Sequence, residues 1–226
     1  MEIYKLNDER LEERSGRVEG PGRGGLLKIT ELKQGVKNPN RVNVFINGKF
    51  SFSLDLAQVV DFKLKVGLEI SEEQLDEYKK ASEFGKLFQR ALEKALTRPH
   101  SEKEIRDYLY KKIYEKKLDK SYINNIVERL KNKNYVNDYK FAEYYAENRF
   151  VKKGISRKRL AMELMKKGVA KDIIDEVLEK RNDEEEILKI IAKKRAKYDD
   201  EKLIMYLCRQ GFSFELVKKL VAEFEG

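Results

Sequence analysis

Three stretches of the chain repeat one helical pattern in the same register. They read SEKEIRDYL, SRKRLAMEL and DDEKLIMYL, and each begins with a residue that caps helices, Ser101, Ser156 or Asp199. Apolar residues follow four and eight positions after each cap, a spacing that puts both on one face of a helix. The sequence therefore predicts the same helix three times, each with one buried stripe. The apolar residues are Ile105, Leu109, Leu160, Leu164, Leu203 and Leu207.

Each of these helices is predicted to lie between two others. The preceding segments read FGKLFQRALEKAL, YKFAEYYAENRF and EEEILKIIAKK, and the following ones IVERL, IIDEVL and LVKKLV. The unit is thus three helices in about 45 residues, written three times. One such unit cannot bury its apolar faces alone, so we expect the units to stack into an elongated, curved rod. We expect Leu164 at a seam between units.

The second and third units match without a gap and share a glycine break. Gly168 lies in LMKKGVAKDIIDEVL and Gly211 in LCRQGFSFELVKKLV. A helix-turn-helix of this kind can read DNA. Here the segment after Gly168 carries Asp172, Asp175 and Glu176, which would face phosphates. We therefore interpret the motif as a joint in which glycine ends a helix and the next apolar residue, Val169 or Phe212, packs under the turn.

The part before the repeats has the two-residue period of strands. Val42, Val44 and Ile46 alternate with Asn43, Phe45 and Asn47, and Phe50, Phe52 and Leu54 alternate with serines. The dipeptide Asn47-Gly48 between them predicts a hairpin with a type I′ turn. We expect a three-strand sheet with one helix here, and FKLKVGLEI as a further strand or an extended link. The next helix should begin with a capping box of Ser71 and Gln74.

The predicted fold is mainly α, with three tandem three-helix repeats after a small β-rich module. The expected parts are a disordered tail at 1–25, the β module at 26–70, a linking helix with repeat 1 at 71–138, repeat 2 at 139–182 and repeat 3 at 183–226.

Positive charge is concentrated in the middle of the chain. The net charge is +9, and residues 84–138 carry 14 basic and 8 acidic side chains while residues 139–182 carry 12 and 7. Such a block indicates a polyanion or an acidic protein surface as partner. A solvated lysine-rich surface is the alternative.

Nine basic residues fall on the predicted outward faces of the helices in repeats 1 and 2. Tyrosines lie among them, and a basic, tyrosine-rich face suits phosphates and stacked bases, or an acidic groove on a protein. Tyrosines at helical spacing more often serve as half-buried packing. The candidate binding residues are Lys103, Arg106, Lys111, Lys112, Arg157, Lys158, Arg159, Lys166 and Lys167, and the tyrosines are Tyr108, Tyr110, Tyr114, Tyr139, Tyr144 and Tyr145.

The residues that carry catalysis are scarce. The one histidine, His100, stands at a predicted helix entry, and the one cysteine, Cys208, stands at an apolar helical position. The acidic run at 183–186 suits the start of a helix rather than a metal. We expect no enzyme, cofactor or metal site. The start of the chain does not resemble a signal peptide and no apolar run could span a membrane, so we expect a cytoplasmic protein.

The motifs together resemble those of the RecX family, regulators of the RecA recombinase. They read ALTRPHSEKEIRDYL, VNDYKFAEYYAENRF and KRLAMELMKKGV, and the lysine-rich link at 113–120 departs from the family pattern. The resemblance implies a non-enzymatic protein that lies in the groove of the RecA filament on DNA and restrains its recombinase, ATPase and co-protease activities. It implies some affinity for single- and double-stranded DNA, which we expect to be weak and directed at the backbone, and no cofactor. We expect a monomer. The alternative is a stand-alone basic DNA-binding protein of helix-turn-helix type.

Overall fold

A computed structural model describes residues 27–36 and 38–224, apart from the side chains of residues 150–153. The disordered tail predicted at 1–25 lies outside the described residues. The described residues divide into two compact units, one that ends at Ser82 and one that begins at Glu83.

The first unit contains an antiparallel sheet in the order β3-β2-β1-β4. Its elements are β1 (Leu27–Gln34), β2 (Arg41–Ile46), β3 (Lys49–Asp55), the helix α1 (Leu56–Asp61) and β4 (Glu69–Ile70). The fourth strand lies in FKLKVGLEI, the segment whose pattern indicates a further strand or an extended link; it is two residues long and pairs with the start of β1. The hairpin between β2 and β3 is confirmed, because Asn47 and Gly48 have φ angles of 49° and 78°, as a type I′ turn requires.

The alternation in β2 and β3 builds the core of this unit, although β3 departs from it at Phe50 and at Ser53, a serine that is buried. Val44, Phe52 and Leu54 are buried, but the Phe50 side chain is 57% exposed. The register of β3 against β2 shifts by one residue between Phe50 and Phe52, so Phe50 leaves the core face and packs edge-on against Phe45. The predicted placement of Phe50 with Phe52 and Leu54 is therefore wrong.

The capping box at the start of the next helix is confirmed. The Ser71 hydroxyl accepts from the Gln74 amide at 3.2 Å, and the Gln74 side chain accepts from the Ser71 amide at 2.9 Å. This helix, α2, ends at Thr97.

The second unit is helical. Repeat 1 comprises the second part of α2 with α3 and α4, repeat 2 comprises α5 to α7, and repeat 3 comprises α8 to α10, so the predicted fold class is confirmed. The bounds are α2 (Glu72–Thr97), α3 (Glu102–Lys116), α4 (Ser121–Asn132), α5 (Asp138–Lys153), α6 (Arg157–Lys166), α7 (Lys171–Val177), α8 (Asp183–Lys194), α9 (Asp200–Arg209) and α10 (Phe214–Glu223).

The three capped helices are α3, α6 and α9. The Ser101, Ser156 and Asp199 side chains each accept a hydrogen bond from the backbone N–H three residues on. The predicted stripe is fully buried in each helix. Local sequence therefore determined both where these helices begin and which face they bury.

The apolar side chains form one cluster within each repeat. Leu109, Leu164 and Leu207 belong to separate clusters, and each cluster draws on all three helices of its own repeat. Leu164 therefore lies inside repeat 2, and the expectation that it lies at a seam between units is wrong.

Leu164→Ala should remove about 2–5 kcal/mol from the free energy of unfolding, because a fully buried leucine leaves a cavity in the core of repeat 2. Met165→Ala, one residue on and 49% exposed, is the matched control and should change it by less than about 0.5 kcal/mol. Urea unfolding followed by circular dichroism measures both. Equal stability of the two variants would contradict the described core.

Candidate binding surface at the joints between repeats

Repeats 1 and 2 meet where α3 begins and α6 ends. The Ser101 hydroxyl donates to the main-chain oxygen of Lys167 at 2.8 Å, while it also accepts the Glu104 amide as helix cap. The Lys103 ammonium donates to the main-chain oxygen of Lys166 at 3.0 Å. The carbonyl groups at the end of α6, which lack partners within the helix, are thus satisfied by the preceding repeat.

Repeats 2 and 3 meet in the same way, where α6 begins and α9 ends. The Ser156 amide donates to the main-chain oxygen of Gln210 at 3.2 Å. The Arg159 guanidinium donates to the main-chain oxygen of Arg209. The two joints therefore use equivalent helix ends.

At each joint, a carboxylate of the following repeat also accepts a hydrogen bond from a backbone amide of the preceding repeat. Asp138, the first residue of α5, accepts the backbone N–H of Glu102 at 2.7 Å, and Asp183, the first residue of α8, accepts that of Arg157 at 2.7 Å. Burial raises the pKa of Asp138 above its usual value, although the hydrogen bond from Glu102 opposes this. Each donor is a first-turn amide without an acceptor inside its helix.

The two glycine breaks lie inside these joints. Gly168 and Gly211 have φ angles of 84° and 92°. A Cβ atom on Gly168 would lie 2.8 Å from the Lys103 Cβ, and one on Gly211 would lie 2.7 Å from the Ser156 Oγ. Val169 and Phe212 are each 4% exposed, which confirms that they pack under the turns. The glycines therefore both end a helix and admit the neighbouring repeat.

Five of the nine predicted binding residues are engaged within the helical unit. Lys103 and Arg159 hold the joints, and three others form ion pairs: Arg106 with Glu102 at 2.8 Å, Lys112 with Glu115 at 2.9 Å and Lys167 with Glu104 at 2.8 Å.

The remaining four predicted residues are exposed. Lys111, Arg157, Lys158 and Lys166 form no ion pair with any residue that the structure describes. We call these four the open basic residues. Arg157 and Lys158 begin α6 and Lys166 ends it, beside Lys103 of the preceding repeat. That they bind a partner stays a prediction.

Two carboxylates lie among the basic side chains, which sequence reasoning missed. Burial by itself would raise the pKa of Glu104, but the hydrogen bond from Lys167 and the charge of Arg98, 3.0 Å away, lower it overall. The pKa of Glu163 is likewise lowered against the effect of burial, by Tyr145 and Arg149. Both carboxylates stay ionised and neutralise part of the basic surface.

Sequence reasoning also missed Arg209. It is exposed and stands two residues before Gly211, as Lys166 stands two residues before Gly168. The repeat register was the signal that could have found it. Arg209 lies at the second joint where Lys166 lies at the first.

The tyrosines fall into two classes. Four of the six, Tyr108, Tyr139, Tyr144 and Tyr145, are half-buried, in line with packing. Tyr110 and Tyr114 on α3 are 50% and 86% exposed.

His100 is buried between α2 and α3. Its Nδ1 lies 2.7 Å from the main-chain oxygen of Arg98, and burial lowers the pKa of its ring. Cys208 is half-buried on α9. Within 27–36 and 38–224, no three His, Cys, Asp or Glu residues are grouped to hold a metal ion. No helix in that range has the length and apolar character needed to cross a bilayer.

Comparison with known proteins gives a consistent result. The family model of the regulatory protein RecX N-terminal domain matches residues 27–71, and that of the second RecX three-helix domain matches residues 137–178. The regulatory protein RecX of Listeria monocytogenes is 32% identical over 207 residues, which are 87% of this chain and 76% of that protein. The regulatory protein RecX of Bacillus velezensis is 34% identical over 207 residues, 87% of this chain and 77% of that protein.

Two solved structures share the fold. A crystal structure of regulatory protein RecX matches with a TM-score of 0.68 at 22% identity, over 88% of this chain and all of the other. The crystal structure of RecX from Lactobacillus salivarius matches with a TM-score of 0.52 at 22% identity, over 62% of this chain and 95% of the other.

Gly211→Ala should destabilise the second unit by more than the cost of its backbone conformation alone. The left-handed conformation costs about 1–2 kcal/mol for a residue with a Cβ, and the contact with Ser156 adds to it. Gly67→Ala is the control, because its φ angle is 86° and a Cβ there meets no atom within 4 Å. Urea unfolding of the full-length variants measures how much free energy of unfolding each substitution removes. Equal losses would show that Gly211 does not hold the joint.

Proposed function

The chain belongs to the RecX family of regulatory proteins, and we propose that it binds the RecA filament on DNA and inhibits the recombinase, ATPase and co-protease activities of RecA. It acts by binding and without catalysis or cofactor, as a monomer in the cytoplasm.

The observation that carries this proposal is the position of the open basic residues. Arg157, Lys158 and Lys166 flank the two joints, and their charges face solvent while neighbouring cations are neutralised by Glu104 and Glu163. Lys111, Lys166 and Arg209 are exposed and follow the caps Ser101, Ser156 and Asp199 by the same number of residues. Exposed cations at such repeated positions suit a partner that repeats along its length, such as a filament of identical subunits on a phosphate backbone.

In this proposal, the protein contacts the phosphate backbone of DNA and does not read its bases. A stand-alone helix-turn-helix protein would use α7 to read bases, but α7 has only seven residues and exposes Asp172, Asp175 and Glu176. Carboxylates in that position repel phosphates. Binding to duplex DNA without RecA, with sub-micromolar affinity and clear sequence preference at moderate salt, would instead favour the stand-alone protein.

The direct test is a titration of RecA on single-stranded DNA, with ATP hydrolysis as the readout. The wild-type chain should lower the rate at amounts stoichiometric with RecA. The double variant Arg157→Glu, Lys158→Glu should need about tenfold more protein for the same effect, because two outward charges are reversed. Arg159 is left intact because it holds the second joint.

The matched control reverses two adjacent lysines on α10, Lys218→Glu and Lys219→Glu, which are also exposed. This variant should inhibit like the wild type, and both double variants should melt within a few degrees of it, since exposed substitutions change stability little. If the wild-type chain leaves the rate of ATP hydrolysis unchanged, the proposed function is wrong. If both double variants lose inhibition equally, general charge and not this surface is responsible.

A further inference from the structure

The second helix of repeat 1 is longer than its counterparts. α3 has 15 residues, whereas α6 and α9 have 10 each. Twelve residues after the cap, repeats 2 and 3 carry Gly168 and Gly211, but repeat 1 carries Ile113. Without a glycine at this position, α3 continues for another turn and ends at Lys116, and the capping residue that follows, Lys117, has a φ angle of 52°.

The added turn carries an exposed aromatic side chain. Tyr114 is 86% exposed, and Tyr110, four residues earlier on the same helix face, is 50% exposed. Together with the loop that follows α3, they border an open pocket of about 500 Å³, which we call the tyrosine pocket. This size lies within the range of ligand sites. Its lining residues are Tyr110, Ile113, Tyr114, Lys117, Leu118 and Lys120.

The charged residues that line the tyrosine pocket are both lysines. Lys117 and Lys120 line it and Lys111 lies between the two tyrosines on α3; all three are exposed and form no ion pair with a residue that the structure describes. The six lining residues include no carboxylate. The nearby Asp119 carboxylate accepts the Ser121 amide at 2.8 Å.

The side chains favour a nucleic acid over a protein as occupant. Lysine is depleted in protein interfaces but binds phosphate as a point charge. An exposed tyrosine ring offers a flat apolar face on which any base can stack. A duplex keeps its bases stacked on one another, so a ring on the side of a helix reaches them only in a single strand.

We propose that the tyrosine pocket binds single-stranded nucleic acid, with a base stacked on Tyr114 and the adjoining phosphates held by Lys111, Lys117 and Lys120. This goes beyond the backbone contacts of the proposed function, and it does not depend on RecA. Within the helical unit it is a feature of repeat 1, since α6 and α9 end before the corresponding turn.

The test is fluorescence anisotropy of the full chain with a short labelled single-stranded oligonucleotide. Tyr110→Ala, Tyr114→Ala should weaken binding roughly five- to one-hundredfold, the range expected when base stacking is lost. Tyr110→Phe, Tyr114→Phe keeps the rings and should stay within about twofold of the wild type. Both tyrosines are half or more exposed, so the variants fold.

Two controls separate base stacking from other effects. Tyr135→Ala removes a tyrosine that is 40% exposed outside the pocket and should leave binding unchanged. An abasic oligonucleotide of the same length should bind the wild type and the double alanine variant equally. An unchanged affinity of the double alanine variant for the normal strand overturns the inference. The inference is also overturned if the double alanine variant loses the same affinity for the abasic strand. It is overturned as well if the tyrosines are needed to bind a labelled polyglutamate peptide but not to bind DNA.

The RecA titration distinguishes a failure of this inference from a failure of the proposed function. If inhibition of RecA is intact but single-strand binding does not depend on the tyrosines, only the tyrosine pocket is wrong. If single-strand binding depends on the tyrosines but the wild-type chain does not inhibit RecA, only the proposed function is wrong.

Discussion

The first amides of a helix have no acceptor within the helix, and this chain supplies one from the next repeat. Asp138 accepts the amide of Glu102, and Asp183 accepts the amide of Arg157, both at 2.7 Å. Each repeat buries its own apolar cluster. The repeats are therefore joined largely by these hydrogen bonds and by the glycine turns packed beside them. Hydrogen bonds require a defined geometry that apolar contacts do not, so the joints fix how successive repeats are oriented.

The same joints decide which basic residues remain available for a partner. Lys103, Arg159 and Lys167 point toward helix ends or carboxylates of a neighbouring element, so their charge serves the fold. Lys158 and Lys166, which directly precede Arg159 and Lys167 in the chain, stay exposed. The net charge of residues 84–182 is therefore larger than the positive charge that can contact a filament or a DNA backbone. The lysines of the tyrosine pocket are not paired with any residue that the structure describes, which supports this pocket as a binding site.

Local features of this fold were predictable from the sequence, and long-range ones were not. The caps at Ser101 and Ser156 act on amides three residues away, so a short window of sequence contains both partners. Lys167 and Glu104 are 63 residues apart, and nothing in either helix by itself reveals their ion pair. For the same reason, the sequence could place nine basic residues on outward faces but could not show that five of them are engaged. Phe50 is exposed because β3 has one extra residue opposite β2 at this point. The sequence of β3 still alternates apolar and polar residues, so it gives no sign of this shift.

The claim that the joints rest on carboxylates of the next repeat is tested most directly by hydrogen exchange of individual backbone amides. The amides of Glu102 and Arg157 should exchange more slowly than that of Asp200, which begins α9 and has no such acceptor in the part of the chain that the structure describes. The protection of Glu102 should disappear in Asp138→Ala, and that of Arg157 in Asp183→Ala. If all three amides exchange at the same rate and neither substitution changes it, the joints are not held in this way.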